Sequence, residues 1–404
     1  MKNHFEIFCI CACAMLSMPY TACAQFDSHE LTRKLQHVLE RDKIPGMAVV
    51  LVDHRNIIYK QSFGKADIYA NRSYKLSTIQ EVGSVSKMIL AAALMKSIEL
   101  GYFSLDTDIN QILPFKVINP FDPKHAITIR ALATHTSGIK DNQDIYMNTY
   151  KFDLNRRTYS PYYEIPLKEL GYKKTLRDTT LKEFYFNYLN QQGKYYSPKN
   201  FIYDPSGSVA SYSNIASALV AYLIEIKSGM SYKTFIAKQI FEPLQITQSA
   251  WFTSELKLKK LSRLYIDEEN DFPLYDLITY PDGGLKTNAI DLSKFLKDMI
   301  AGLNGRSVIL NQKSFESMFT PQFSENNKPA KFSLATRNKG ILWNLYNNGT
   351  IGHDGDDPGI SAFLVFNPKN GLGGLFLCNK YLEDKSSLIK ILTESINQWH
   401  SKVK

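Results

Sequence analysis

Leu31, Leu35, Val38 and Leu39 stand three to four positions apart within DSHELTRKLQHVLERD, with charged residues between them, a spacing that predicts an amphipathic helix. GMAVVLVDHRNIIYKQSFG follows as two β-rich runs joined by the polar turn Asp53–Asn56. From Ser86 to Tyr102 the pattern changes. SKMILAAALMKSIELGY is small and apolar on nearly every side, which predicts a helix buried on most faces. ITIRALATHTSGI reads as a short helix ending at Gly138. SNIASALVAYLIEIKSG reads as another buried helix, closed by Gly229, and FEPLQITQSAWF follows a further helix. DLSKFLKDMIAGL is helical, with Asp291 in its N-cap region. The last hundred residues alternate short strands and turns, as in FLVFNPKNGLGGLFLCN, and finish in the helix KSSLIKILTESINQWHSK.

Residues 140–200 stand apart, rich in Tyr and Lys and poor in aliphatics, and read as a surface insertion or lid whose aromatics face substrate or the body. Strands near both ends of a chain tend to pair into one sheet, which makes the middle an inserted helical part. The expected fold is therefore α/β (α+β): an antiparallel sheet flanked by helices, with the functional site at the seam. One domain is expected over 25–404, its sheet part about 25–83 and 300–404, its helical part about 84–299, and an atypical Tyr-rich insertion about 140–200.

The amino terminus changes the picture of where the protein works. Lys2 precedes the apolar run Ile7–Met18, and TACAQ offers Ala22-x-Ala24 with cleavage before Gln25. Residues 1–24 thus read as a secretory signal peptide, too short in its apolar run for a transmembrane segment, which implies a periplasmic or secreted protein. Cys23 offers a lipoprotein alternative, disfavoured by Tyr20 where a lipobox wants Leu. Cleavage would remove Cys9, Cys11, Cys13 and Cys23, leaving Cys378, a buried strand residue in GGLFLCN and not a nucleophile. The +9 net charge is spread over scattered Lys and Arg, and no basic block, zinc-finger spacing or RNP-like motif accompanies it. Nucleic acid is therefore not the expected partner.

Candidate chemistry begins at GSVSK. A Ser followed three positions later by Lys places both side chains on one helical face, Ser84 and Lys87. At a helix N-terminus the amide dipoles favour a developing alkoxide, and a desolvated Lys can act as base. Ser62, Ser137, Ser254, Ser387 and Ser401 begin further S-x-x-K matches, but only Ser84 follows a Gly and opens a long small-residue helix. PSGSVASYSN then places Tyr212, Ser213 and Asn214 before a buried helix, with Gly207 five residues ahead. A phenol close to an ammonium passes its proton on more easily and can shuttle between nucleophile and leaving group, and an amide such as Asn214 can hold a substrate carbonyl. The third element is His353-Asp354-Gly355 in TIGHDGDDPGISAFLVF.

In order, S-x-x-K, Y-S-N and H-x-G resemble the active-site triplet of the serine β-lactamase and penicillin-binding protein superfamily. The nearest resemblance is to the branch of class C β-lactamases, D-alanyl-D-alanine carboxypeptidases and related esterases. ITIRALATHTSGI, FEPLQITQSAW, PDGGLKTNAIDLSKFL and GHDGDDPGISAFLVFNP look like the linking segments of that family, in family order, from about Ile44 to Asn379. The resemblance implies Ser84 as acylated nucleophile, Lys87 as its base or activator, Tyr212 as proton relay and Asn214 as substrate-amide contact. His353 then takes a position often held by Lys in β-lactamases, and Gly355 leads to an oxyanion hole formed by the N–H groups of Ser84 and Asp356. His135 and Ser137 would brace the fold. No metal or cofactor is required, and the substrate would be a small molecule or peptide, with cell-wall fragments among the candidates.

One departure bears on the substrate. Asp354, Asp356 and Asp357 crowd the third motif, with His353 as the only local cation, so a carboxylate-bearing substrate would be repelled. A free amine, or a neutral ester or amide, fits such a site better than a β-lactam. Lys286 and Thr287 in LKTN lack the glycine of K-T-G and read as structural. The expected function is an exported serine hydrolase acting through an acyl-enzyme on a D-amino-acid peptide, amide or small ester. Its alternatives are a β-lactamase, a non-catalytic penicillin-binding-like receptor or scaffold, and a metal site in the HDGDD loop.

Overall fold

Both ends of the chain meet in one sheet. The structure, a computed structural model, describes residues 27–177, 179–268 and 270–398, so the expected signal peptide, the expected cleavage point and Cys23 lie outside the described residues. Eight strands form the sheet: β1 (Gly46–Val52), β2 (Ile57–Asp67), β3 (Arg72–Ser73), β4 (Arg337–Lys339), β5 (Asn344–Tyr346), β6 (Ile351–Asp357), β7 (Ile360–Asn367) and β8 (Leu372–Cys378). Their order is β4-β5-β6-β7-β8-β1-β2-β3, antiparallel throughout. The closing pair runs Met47 against Cys378 to Val52 against Gly373, which joins the first strand to the last.

Every residue of β1 is buried, as its unbroken apolar run requires of a strand covered on both faces. Met47, Val49 and Leu51 pack with Leu31, Leu35 and Val38 of helix α1 (Ser28–Arg41) and with Leu388, Leu392 and Ile396 of the terminal helix. Ala48, Val50 and Val52 face the larger core, which runs on into the helical part. Full burial of each Val or Leu contributes about 1.5–3 kcal/mol. Asp27 starts α1 by accepting the N–H groups of His29 and Glu30 at 2.9 and 3.0 Å. Cys378 lies buried in β8, and burial pushes its thiol up from the ordinary range.

Helix α2 (Ser86–Glu99) has eleven of its fourteen residues buried, in keeping with its apolar composition on all sides. Helix α3 spans Ile129–Ala133, α4 Leu181–Leu189, α5 Asn214–Ser228 and α6 Ala289–Gly302. Gly229, at φ +69°, closes α5 in the left-handed region that glycine adopts without a Cβ penalty. Three short antiparallel strand pairs also lie within the helical part: Gln80–Glu81 with Lys286–Thr287, Tyr150–Phe152 with Tyr275–Leu277, and Leu264–Tyr265 with Asp271–Phe272.

Three local expectations change. Helix α3 ends at Ala133, not at Gly138, because His135 turns into the left-handed region at φ +60°. The N-cap of α6 is Asn288, whose Oδ1 accepts from Ile290 and Asp291 at 3.0 Å. Asp291 instead accepts the N–H groups of Thr247 and Gln248 and pairs with Lys294, tying the preceding loop to the helix. The Tyr-rich region is only partly a surface insertion. Phe184, Tyr185 and Tyr188 of α4 are buried, and the Tyr185 hydroxyl donates to the Ile215 carbonyl at 2.7 Å, locking α4 onto α5. Its aromatics replace the missing aliphatics in the core, burying large rings, and the Tyr185 and Tyr188 hydroxyls find the backbone acceptors Ile215 and Lys140.

Candidate active site

Two glycines let the Ser84 turn and the third-motif strand touch. Gly83, Ser84 and Val85 form a single 3-10 turn that runs straight into α2. Gly83 sits at φ +52°, and a Cβ there would meet the backbone N and O of Asp356 at 3.0 Å. From the other side, a Cβ on Gly355 would lie 2.0 Å from the Val82 carbonyl oxygen and 3.0 Å from the Val85 nitrogen. Only glycine at both positions allows β6 to pass this close, which sets the Asp356 backbone beside the Ser84 turn. The Gly355→Ala variant is expected to fold, but with β6 displaced from the turn. Its kcat/KM should fall by on the order of 10²-fold, the effect of losing one oxyanion donor. Steady-state kinetics equal to wild type in a folded Gly355→Ala protein would refute this reading of the contact.

Around that turn the side chains converge. The Lys87 ammonium lies 3.0 Å from Ser84 Oγ, 2.7 Å from Asn214 Oδ1 and 2.6 Å from the Asp282 carbonyl, so its three N–H donors meet three acceptors. Tyr212 Oη lies 2.7 Å from Ser84 Oγ on the open side, and its ring centroid is 5.1 Å from Lys87 Nζ. Lys87 is fully buried, whereas Tyr212 stays half-exposed. Asp141, more than 70 residues before α5, holds the second motif in place. One carboxylate oxygen accepts Ser213 Oγ and the Ile215 N–H, and the other accepts the N–H and the side-chain amide of Asn214. Asn214 thus spends its carbonyl on Lys87 and one N–H on Asp141, keeping one N–H for a substrate. The His135 ring lies tilted by 33° against Tyr212 with 4.3 Å between centroids, and its Nδ1 accepts from the Ser213 N–H at 3.3 Å, a bracing role. Ser137 Oγ accepts the N–H of Ile139.

The third motif departs from the expected electrostatics. His353 is buried and lies 2.6 Å through Nδ1 from the Asp354 carbonyl, so Nδ1 carries the hydrogen and Nε2 is left as an acceptor. Burial, with the Lys339 ammonium adding to it, holds its pKa well below the ordinary imidazole value. His353 is therefore neutral, not a local cation. The basic side chains around this motif are Lys385, Lys339, Arg337 and Lys87. Lys385 lies 3.1 Å from Asp354 Oδ2 and also pairs with Asp356, drawing both carboxylates toward the terminal helix. Asp357 accepts the Tyr150 hydroxyl at 2.5 Å, and burial raises its pKa to about 7. The aspartates of the loop are thus held by Lys385 and Tyr150. Among the described residues no group of three or more His, Cys, Asp or Glu side chains is arranged to hold a metal ion. Repulsion of a carboxylate by an unpaired acidic loop, inferred from the sequence, does not hold.

These residues surround a cavity of about 400 Å³ lined by Ser84, Tyr212, Asn214, His353 and Asp356; Lys87 is bonded to the lining Ser84 and Asn214, and Gly355 lies between the lining Asp354 and Asp356. Sequence reasoning missed Asp141, Tyr146, Tyr150, Asp282, Arg337, Lys339 and Lys385, none of which sits in a motif. Asp282 lies in PDGG, and burial raises its carboxyl pKa to about 7 against the pull of Lys87. Lys339 is buried against Asn344 Oδ1 at 2.8 Å, and burial, with Arg337 nearby, lowers its pKa to about 7. Lys286 and Thr287 lie outside the cavity wall. Lys286 is buried and pairs with Asp276 at 3.0 Å while its strand aligns Gln80–Glu81, which leads into the nucleophile turn.

Comparison with known proteins bears on the family and the fold. The profile of the family described as Beta-lactamase matches residues 31–391. Among curated relatives, the Protein flp of Staphylococcus aureus (strain N315) is 21% identical over 374 residues, covering 91% of this chain and 66% of that protein. Penicillin-binding protein 4* of Bacillus subtilis (strain 168) is 23% identical over 334 residues, covering 78% of this chain and 64% of that protein. The chain thus spans just under two thirds of the length of these relatives. In three dimensions it is similar to the octameric penicillin-binding protein homologue from Pyrococcus abyssi, with a TM-score of 0.73 and 24% identity over 93% of this chain and 78% of that one. It is also similar to a penicillin-binding protein from Bacillus halodurans, with a TM-score of 0.64 and 19% identity over 88% of this chain and 98% of that one. At these identities the structural likeness speaks for the fold.

Proposed function

We propose, from the premise that the chain belongs to the beta-lactamase family, that it is a serine hydrolase working through an acyl-enzyme on a D-amino-acid-containing peptide, amide or small ester. The observation that carries this reading is the convergence of Lys87 Nζ and Tyr212 Oη on Ser84 Oγ at 3.0 and 2.7 Å. Ser84 Oγ attacks the substrate carbonyl carbon as its proton leaves through Lys87 or Tyr212. Lys87 takes that proton from its neutral form, in which the contact with Ser84 is reversed and the hydroxyl donates. Negative charge gathers on the former carbonyl oxygen, which the N–H groups of Ser84 and Asp356 receive. As the bond to the leaving nitrogen or oxygen breaks, Tyr212 returns the proton to it. Water then attacks the ester carbonyl, and Ser84 recovers its hydrogen.

Arg337 and Lys339 on the cavity wall favour a second reading, β-lactam hydrolysis, because they offer a carboxylate the positive charge that His353 does not. A retired receptor fits less well, since the Lys87 network is complete. Secretion, with removal of residues 1–24, belongs to the same proposal. Among the described residues no helix is long and apolar enough to cross a membrane. The deciding experiment is a turnover panel of D-aminoacyl p-nitroanilides, p-nitrophenyl esters, D-Ala-D-Ala peptides and nitrocefin. Turnover of the D-aminoacyl compounds is expected to exceed that of nitrocefin. Rapid nitrocefin hydrolysis alone would replace the first reading by the second, and no turnover with no fluorophosphonate labelling of folded protein would overturn both.

A further inference from the structure

The two aspartates that end β6 also line a second cavity. It measures about 440 Å³ and shares Asp356 and Asp357 with the candidate site. Its other walls are mostly apolar, formed by Pro166, Leu170, Ile266, Phe272 and Tyr381. Glu169 adds one charge of its own, from an exposed position. The carboxylates of the shared pair are already engaged, Asp356 by Lys385 and Asp357 by the Tyr150 hydroxyl.

Stretches far apart in sequence build these walls, and each is fixed in place. Phe272, 1% exposed, packs edge-on against Phe152 with 5.6 Å between centroids. Gly359, in the turn after β6, lies against the hairpin that carries Phe272: a Cβ there would stand 2.5 Å from the Leu264 Cβ. Tyr381 precedes Leu382, whose N–H donates to Ser361 Oγ at 2.9 Å. The short helix Glu164–Glu169 of the Tyr-rich insertion is anchored on both sides. Ahead of it, the Ser160 N–H donates to Asp271 at 2.8 Å and Ser160 Oγ to Asn270 at 2.6 Å. Beyond it, the Tyr172 ring meets Phe152 edge-on at 4.9 Å. Leu170 and Tyr381 nevertheless stay 43% and 48% exposed. Fixed apolar walls left open to solvent mark a place for an apolar group. Continuity with the candidate site indicates which molecule supplies it.

The proposed chemistry decides which half of the substrate reaches this cavity. The substrate carbonyl oxygen lies at the N–H groups of Ser84 and Asp356, and the leaving atom lies near the Tyr212 hydroxyl that returns its proton. The Tyr212 ring is 6.4 Å from that of His353, three residues before Asp356 on β6. The leaving group thus departs on the His353 side. The acyl group is left the side of Asp357, where the second cavity opens.

We propose that the second cavity is an acyl-binding subsite, and that the preferred substrate carries an apolar group on its acyl half, of hexanoyl or phenylacetyl size, received by Leu170, Phe272 and Tyr381. This rests on the serine hydrolase reading and narrows it to a substrate class. The Tyr-rich insertion, which supplies Pro166 and Leu170, is then a specificity element. An acyl group as small as acetyl would leave its apolar side chains in water, and a larger one covers them.

Esters varied in one half at a time test this. The kcat/KM for p-nitrophenyl hexanoate should exceed that for the acetate by at least about tenfold, since one methylene in an apolar pocket already contributes roughly that factor. Leu170→Glu and Tyr381→Glu should each remove most of this advantage, while acetate turnover and the melting temperature stay close to wild type. Lengthening the alcohol half of an acetyl ester should bring no comparable gain. Calorimetric titration of the Ser84→Ala variant with the p-nitroanilides of hexanoic and acetic acid asks the same question without chemistry. There the hexanoyl compound should bind at least about tenfold more tightly. Equal kcat/KM for the two esters, equal affinity for the two anilides, an advantage that survives both substitutions, or one that follows the alcohol half would overturn the proposal. Absence of both acetate turnover and fluorophosphonate labelling would sink the hydrolase reading instead, and the anilide titration would still decide the subsite.

Discussion

Ser84→Ala is expected to abolish covalent labelling by a fluorophosphonate and to lower turnover of the best ester substrate by at least about 10³-fold, with thermal unfolding close to that of wild type. The size follows from the role. Removing a nucleophile that acts with its base as one unit costs about as much as removing the whole unit, and what survives is binding and oxyanion stabilisation alone. Stability should change little because Ser84 lies at the cavity surface in a backbone turn whose geometry does not need the hydroxyl. Lys87 loses one of three acceptors and keeps Asn214 and the Asp282 carbonyl. The readouts are mass spectrometry of the labelled protein and single-turnover kinetics. Full labelling at another residue, or turnover within tenfold of wild type, would remove Ser84 from the mechanism.

Lys87→Met should lower kcat by about 10²–10⁴-fold, the usual contribution of a positioned proton-transfer group. Unlike Ser84→Ala, it should also destabilise the fold, by about 1–3 kcal/mol, because buried acceptors lose their donor. The Met side chain is close in volume to Lys, so a cavity contributes little. What remains is an Asn214 oxygen and the Asp282 carbonyl facing an apolar thioether. A paired measurement separates the two effects: the melting temperature falls, while burst kinetics show acylation slowed below the rate of wild-type deacylation. Tyr212→Phe provides the contrast, since its half-exposed hydroxyl contacts Ser84 and its loss should slow catalysis with little change in melting temperature. Lys87→Met with catalysis intact would leave Tyr212 or water as the base.

The pairing of the third-motif aspartates changes the picture of specificity drawn from the motif alone. Three aspartates next to His353 read as a field that repels carboxylates, yet two of them neutralise Lys385 and the third lies against Tyr150. The three aspartates line the cavity, and so do groups from elsewhere: Asp282 from the turn before Lys286, and Arg337 and Lys339 from an edge strand. Net charge counted along a loop says little when partners more than 20 residues away, such as Lys385, or more than 200 away, such as Tyr150, decide which charges remain.

Much of the fold was legible in the sequence where the signal was local. Periodicity placed α1, α2, α5 and the β1–β2 hairpin, because burying one face of a helix or both faces of a central strand imposes a pattern on neighbouring residues. S-x-x-K, Y-S-N and H-x-G could be picked out for the same reason, each needing only a turn and one helical or strand step to present its side chains. The end of α3 was misplaced because His135 accepts a left-handed conformation that Gly138 had seemed to own. The Tyr-rich segment was placed too far outside because aromatic burial leaves no aliphatic signature, and its hydroxyl partners, such as the Ile215 carbonyl, lie across the core.

By itself, then, the sequence determined the order of elements and the three groups of candidate side chains, since both rest on contacts between residues a few positions apart. Only the tertiary structure decided how those groups meet and what charge they face. Asp141 reaches across to fix Asn214, Gly83 and Gly355 permit a close passage of two backbones, and Lys385 cancels acids that the linear order leaves bare. Such contacts join residues tens to hundreds of positions apart. Hydrogen bonding and Coulomb energy depend on distance in space, which local sequence patterns do not encode.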